Sequence, residues 1–387
     1  MAWRDDFSEV LMKSAPVPGA LLTHGNGCYV WDVDGKRYLD FLAGIAVNSL
    51  GHAHPALVEA VSRQIATLAH VSNLFASQQQ IELAQNLVRI TGAGEGGRVF
   101  FANSGAEAIE AAIKLARRNK QHGTILALEN SFHGRTTGSV ALTGKPALRV
   151  DFEPLIPQVV HIDSTIEALE AAMSDEVAAL VLEPIKGEAG VIPLPEGYLQ
   201  RARELCTTHG ALLILDEIQT GAGRTGSWFT YQQYGIVPDA VTIAKGIAGG
   251  VPIGALVTFG AASDLFSKGQ HGSTFGGNPL ATGAANAVIA EIERAGLIEN
   301  AHLRGAQIRD AVSGLPLVAE TRGAGLLIGI GLSKPVADQV AAAALELGLI
   351  INAATDSSIR LAPPLIVGDD EIAEFVTIFT AALEASA

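Results

Sequence analysis

Cysteine is scarce in this chain: Cys28 and Cys206 are the only two among 387 residues. Two cysteines supply neither a disulfide framework nor a paired metal motif, and the expectation is two reduced thiols in a cytoplasmic protein. Basic residues are also short, with 26 Lys and Arg against 40 Asp and Glu and a formal net charge of -14. Nucleic acid and anionic membrane surfaces each require a basic face, so neither is an expected partner. A small anionic substrate stays compatible, because a buried arginine acts locally against the global field. Long apolar runs are missing as well. The most apolar windows are broken by Lys245 or Glu346, and none reaches the roughly 18 residues of a membrane span. The opening stretch MAWRDDFSEVLMKSAPVP carries early acids, unlike a signal peptide. No G-x-S-x-G elbow or H-E-x-x-H pair occurs. His52 and His54 in GHAHP read as a structural turn, and no metal is expected.

What is present is core-forming material, 48% hydrophobic, enough for about two or three domains. Gly25 to Phe41 reads as a small antiparallel unit turning at Asp34-Gly35. From about Pro55, helical patterns alternate with short apolar runs at 98–102, 124–129, 178–183, 211–216 and 240–245. That is the βαβ rhythm of a mostly parallel sheet buried on both faces. The expected fold class is α/β: a large domain over 51–285, a small α+β domain over 286–387, and an N-terminal segment, 1–50, packing with the small domain.

In open α/β sheets ligands bind beyond the carboxyl ends of the strands. Two runs end there in chemistry. ALLILD terminates in Asp216, and AVTIAK terminates in Lys245 just before a glycine-rich turn. Enclosure favours the neutral, nucleophilic form of an amine. An amine and a carboxylate at neighbouring strand ends suit pyridoxal phosphate (PLP): one bonds the aldehyde, the other keeps the ring nitrogen protonated. Ser104, Gly105 and Ala106 open a helix directly after a strand, where exposed N–H groups and the helix dipole favour phosphate. Gln219 could bond the ring's phenolic oxygen, and Phe132 and Ile218 could cover its two faces. For each of these a bland alternative exists, an N-cap for Ser104 and Asp216 and plain core packing for Phe132 and Ile218. GAGRTG (Gly221 to Gly226) matches G-x-G-x-x-G, but its strand ends several residues too early and no convincing helix follows.

The motifs FFANSGAEA, SFHGRT, EPIKGEAGV, LDEIQTGAGRTG, TIAKGIAGGVPIGA and HGSTFGGNPLA together resemble the class III, fold-type I, PLP-dependent aminotransferases, and among them the acetylornithine branch. The resemblance spans nearly the whole chain. It implies that Lys245 binds the cofactor covalently and that Asp216 faces the pyridine nitrogen. It further implies that Gly105 and Ala106 hold the phosphate, Phe132 stacks on the ring and Gln219 sits near the phenolic oxygen. Thr274 would reach the phosphate of a neighbouring subunit, with Ser273 beside the substrate, so an obligate homodimer is implied. Arg135 would bind the substrate carboxylate, and Arg360 the α-carboxylate of glutamate. Glu188 would pair with Arg360 when the amine being moved is the distal one, and step aside for glutamate. The chain departs from common family patterns at Ala106, where threonine is frequent, and at Ile109 and Lys186.

The implied activity is ping-pong transfer of the δ-amino group of N-acetylornithine to 2-oxoglutarate, in arginine biosynthesis. Ornithine, succinylornithine, succinyl-diaminopimelate and 4-aminobutyrate aminotransferases share this chemistry. His133 stands where ornithine aminotransferases tend to carry an aromatic residue. From other classes, an aminomutase would need no 2-oxoacid, and a dinucleotide oxidoreductase would rest on GAGRTG.

Overall fold

The structure, a computed structural model, describes residues 2–387. Its centre is a seven-stranded sheet. In spatial order the strands are Arg98–Ala102, Gly254–Thr258, Ala240–Ile243, Leu212–Asp216, Val177–Leu182, Thr124–Leu128 and Val159–Ile162. All neighbours pair in parallel except Gly254–Thr258, which runs antiparallel to both of its partners. Six carboxyl ends therefore point the same way.

Four of these strands, Val177–Leu182, Leu212–Asp216, Ala240–Ile243 and Gly254–Thr258, are buried at every position. Buried along their whole length, these strands serve two faces at once, as a sheet covered on both sides requires. Alternation of side chains shows it: Leu180, Leu182, Leu213 and Leu215 join one core, whereas Val181, Leu212 and Ile214 join the other. The helix Gly105–Asn119 covers the second face with a small-residue stripe that includes Ala108, Ala111, Ala112 and Ala116. Five of the seven strands match the apolar runs in the sequence. Gly254–Thr258 starts on a glycine and ends on a threonine, and Val159–Ile162 is a part-exposed edge strand interrupted by His161. Neither carries the long apolar signature.

The C-terminal third forms a four-stranded antiparallel sheet ordered Val318–Ala324, Leu327–Leu332, Ser358–Leu361, Asn352–Thr355. Helices Leu297–Val312, Ala337–Glu346 and Asp369–Ala385 accompany it. The early strands Leu22–Asn26, Tyr29–Asp32 and Arg37–Asp40 pair with Leu349–Ile350 in a further sheet. Phe41 stacks on Phe375 with ring centroids 4.5 Å apart, tying this early segment to the last helix. Gly221–Gly226 is a buried turn that joins the two bodies: Arg224 donates to the carbonyls of Leu326 at 3.2 Å and Pro363 at 2.5 Å. At Gly325 a Cβ would lie 2.5 Å from the Thr225 backbone, so the seam tolerates no side chain there. The G-x-G-x-x-G pattern is used for packing. No helix among the described residues is long and apolar enough to cross a membrane.

Candidate active site

At the carboxyl edge of the large sheet lies a cavity of about 290 Å³ whose lining includes Asn103, Phe132, Asp216, Ile218, Gln219 and Lys245. Lys245 follows the Ala240–Ile243 strand and opens a short 3-10 turn with φ 46. A non-glycine residue in the left-handed region stores backbone strain, a condition concentrated at functional sites. Burial holds its ammonium below the ordinary lysine range; Glu188 opposes this, Arg360 adds to it, and Asp216 and Glu183 oppose it.

Asp216 ends the adjacent strand and is 4% exposed. Its Oδ1 accepts from Ile218 N at 3.1 Å and Thr242 Oγ1 at 3.2 Å, and its Oδ2 lies 2.7 Å from His133 Nδ1. The Nε2 of that same imidazole is buried without a partner. Burial alone would lower the His133 pKa, but the hydrogen bond and charge of Asp216, helped by Glu183, raise it overall. Glu183, also in the cavity wall, is pushed by burial up to about 7 against the pull of His133. Its carboxylate accepts from Phe132 N at 2.8 Å and Gly187 N at 3.2 Å. His133 N donates to Thr143 Oγ1 at 3.0 Å. Two side chains thus pin the Phe132-His133 backbone, aiming one residue into the cavity and the other at Asp216. The next residue must be glycine: Gly134 has φ 131, and a Cβ there would meet Ser139 Oγ at 2.6 Å.

Ser104 caps the Gly105–Asn119 helix by accepting from Glu107 N at 3.2 Å. Ser104, Gly105 and Ala106 all line the cavity, so the first-turn N–H groups form an anion cradle. Gly105 also has a packing reason, since a Cβ would lie 2.7 Å from Ile218 Cδ1. Phe132 and Ile218 both line the cavity. Thr274 lies elsewhere, exposed in the loop before the Pro279–Arg294 helix, next to Phe275, which is 59% exposed. Ser273 accepts from Asn103 Nδ2 at 3.1 Å and lines an adjoining groove with Phe100 and His271.

Arg360 is 2% exposed. One of its nitrogens, Nη1, contacts the Glu188 carboxylate and also donates to Gln219 Oε1 at 3.2 Å, while Nη2 donates to Asn352 Oδ1 at 2.7 Å. Its Nε is buried without a partner. Burial raises the Glu188 carboxyl, yet Arg360, Lys245 and Lys145 outweigh it and hold the group below the usual carboxylate range. Arg135 is exposed, its guanidinium 5.7 Å from the Phe132 ring centroid. It forms no ion pair among the described residues, which leaves its planar fork available for a carboxylate.

The structure brings the residues singled out by type, Lys245, Asp216, Gln219, Ser104, Gly105, Ala106, Phe132 and Ile218, into one cavity, and beside it pairs Glu188 with Arg360, which only the resemblance implied. Asn352 and Lys145 escape that reading, because nothing local marks an asparagine on an edge strand or a lysine after a glycine. Glu183 and His133 carried a usable signal: a carboxylate ending a buried strand, and a histidine in SFHGRT.

A family model described as aminotransferase class-III matches residues 12–383. The chain belongs to the class-III aminotransferases. It is 49% identical over 380 residues to the acetylornithine aminotransferase of Mycobacterium leprae, covering 97% of this chain and 94% of that one. Among solved structures it resembles the N-acetylornithine aminotransferase of Stenotrophomonas maltophilia, with TM-score 0.84, 36% identity and 98% of each chain covered. It also resembles the ornithine aminotransferase of Toxoplasma gondii, solved with partial occupancy of PLP at its active site. That match has TM-score 0.92 and 32% identity, covering 100% of this chain and 94% of the other. Class-III aminotransferases adopt fold type I and use PLP, and this cavity suits that cofactor. It offers an enclosed amine at Lys245, the buried carboxylate of Asp216 with a histidine behind it, and a helix N-terminus whose glycine leaves the backbone bare.

Proposed function

We propose that this aminotransferase moves the δ-amino group of N-acetylornithine to 2-oxoglutarate, reversibly, yielding N-acetylglutamate 5-semialdehyde and glutamate in arginine biosynthesis. The observation that carries the reading is the Glu188–Arg360 pair beside Lys245. A buried guanidinium covered by a removable carboxylate lets one pocket serve two amine classes. The acetylornithine aminotransferases near 49% identity support the donor.

PLP, when bound, supplies an electrophilic aldehyde and an electron-accepting ring. Lys245 would hold the aldehyde, and its Nζ, when free, would take the proton from the substrate's amine-bearing carbon and later return one. Asp216 would keep the ring nitrogen protonated, and His133, donating from Nδ1, holds Asp216 in place. Gly105 and Ala106 would donate backbone N–H groups to the phosphate, Phe132 and Ile218 would bound the ring, and Gln219 would serve its phenolic oxygen. Arg135 takes a carboxylate of either substrate. Glu188 covers Arg360 while the distal amine reacts and uncovers it for the α-carboxylate of glutamate.

The unit of function in this reading is a cytoplasmic homodimer. Thr274 reaches the partner's phosphate cradle, and Ser273 lies near substrate. The exposed Phe75, Leu74 and Phe275 support an interface on that face, and the two unpaired buried cysteines suit a reducing compartment.

Side-by-side kinetics with N-acetylornithine, ornithine and 4-aminobutyrate, each against 2-oxoglutarate, test the donor. N-acetylornithine is expected to have the highest kcat/KM; a better value for ornithine refutes it. A second expectation concerns His133→Phe. Asp216 Oδ2 would lose a charge-assisted bond, the kind worth about 1.5–3 kcal/mol. Both half-reactions should slow about tenfold or more, and by similar factors, with weaker PLP retention on dialysis. Selective slowing of one half-reaction would place His133 in substrate choice.

A further inference from the structure

A gate that releases Arg360 has to put the Glu188 carboxylate somewhere. Arg360 is fully enclosed, so Glu188 is the partner that moves; its side chain is 26% exposed. The turn that carries it is fixed on all sides. Gly187 N donates to Glu183 Oε2 at 3.2 Å, the Glu188 carbonyl accepts from Lys145 Nζ at 2.6 Å, and the Gly190 carbonyl accepts from Arg322 Nε at 2.8 Å. Arg322 also donates to Ser358 Oγ at 2.6 Å, two residues before Arg360 on the same strand. The turn and the arginine strand are thus bolted together. Opening has to come from the Glu188 side-chain torsions alone.

A carboxylate leaving a guanidinium inside a half-closed cleft needs another cation, because an uncompensated buried charge is strongly unfavourable. Arg135 is reserved for substrate and Lys245 for the cofactor. Lys145 remains. It is half-buried, sits at the carbonyl of Glu188 itself, and makes no other side-chain bond among the described residues. An ammonium has three N–H donors, so two are free. Lys145 also contributes to holding Glu188 ionised.

We propose that Lys145 is the second post of the gate: its ammonium receives the Glu188 carboxylate whenever Arg360 is released to a dicarboxylic substrate. This rests on the reading of Arg360 as the site for the α-carboxylate of glutamate. Lys145 is a positioning residue, acting through Glu188.

The test is calorimetric titration of the PLP-loaded enzyme with two unreactive acids. Glutarate, a dicarboxylate without an amine, needs the open gate. N-acetylnorvaline, a monocarboxylate lacking the δ-amine, binds with the gate closed. Lys145→Met should weaken glutarate at least about tenfold, as expected for loss of a charge-assisted bond, and N-acetylnorvaline far less. Lys145→Arg should restore glutarate binding. Equal weakening of both acids, or of neither, overturns the proposal. Arg322→Met loosens the turn without touching the cation; if it reproduces the selective loss of glutarate, backbone looseness explains the effect and the second post is overturned. Arg360→Met separates the two levels. If it leaves glutarate binding intact, the reading of Arg360 itself fails. If it abolishes binding while Lys145→Met does not, only the second post fails.

Discussion

Lys245→Ala is expected to lower turnover by on the order of 10⁴-fold or more, because general acid–base catalysis alone is worth about 10²–10⁴ and covalent attachment is lost with it. The fold should survive. The amine is held below its ordinary pKa chiefly by burial, so its removal relieves desolvation, and no side-chain hydrogen bond of Lys245 is given up among the described residues. Alanine inherits the same φ of 46 and adds no new strain. Thermal unfolding of the cofactor-free variant should therefore match or exceed the cofactor-free parent. Borohydride reduction and peptide mapping of the parent should place the pyridoxyl tag on Lys245, and the variant should carry none. Multiple turnovers near the parent rate in Lys245→Ala would remove the residue from the mechanism.

What makes Lys245 stand out in the sequence also explains why other residues of the site do not. The fully buried strands Leu212–Asp216 and Ala240–Ile243 carry no charged residue before their ends, so the charged side chain that closes or follows each, Asp216 and Lys245, stands out, and in a parallel sheet all such ends meet at one edge. The helix N-terminus at Gly105 is legible for the same reason, a strand running straight into a cap. Strand Gly254–Thr258 is not. It is the one antiparallel member of the large sheet, begins on a glycine, and is recognisable only once its two neighbours are in place. The Glu188–Arg360 pair joins residues 172 positions apart, one in a turn and the other on the strand Ser358–Leu361. Local pattern cannot bring them together; the family resemblance did. Lys145 and Arg322 had no such help. They act on the carbonyls of Glu188 and Gly190, and a backbone acceptor leaves no mark in the residue types of either partner.

Asp216→Asn should lower kcat by about 10³-fold, the scale seen when a preorganised electrostatic partner of the reacting group is removed. The amide keeps the shape, so Ile218 N and Thr242 Oγ1 can still find an oxygen. What disappears is the charge. A neutral amide does not hold a proton on a pyridine nitrogen, and it does not sustain a protonated imidazole at His133. The sign for His133 follows directly. Burial lowers its pKa, and it stands raised only because of Asp216 and Glu183, so neutralising Asp216 must bring it down. Imidazole NMR on the cofactor-free proteins reads this without any turnover: in the parent His133 should keep its second proton to higher pH than in Asp216→Asn. The two residues are in contact at 2.7 Å, so their effects should not add. In a double-mutant cycle with His133→Phe, the second substitution should cost little once Asp216 is already neutral, with a coupling energy in the range of about 0.5–3 kcal/mol found for contacting residues. Strict additivity would mean that His133 supports the fold of the Phe132 loop and has no part in holding the charge of Asp216.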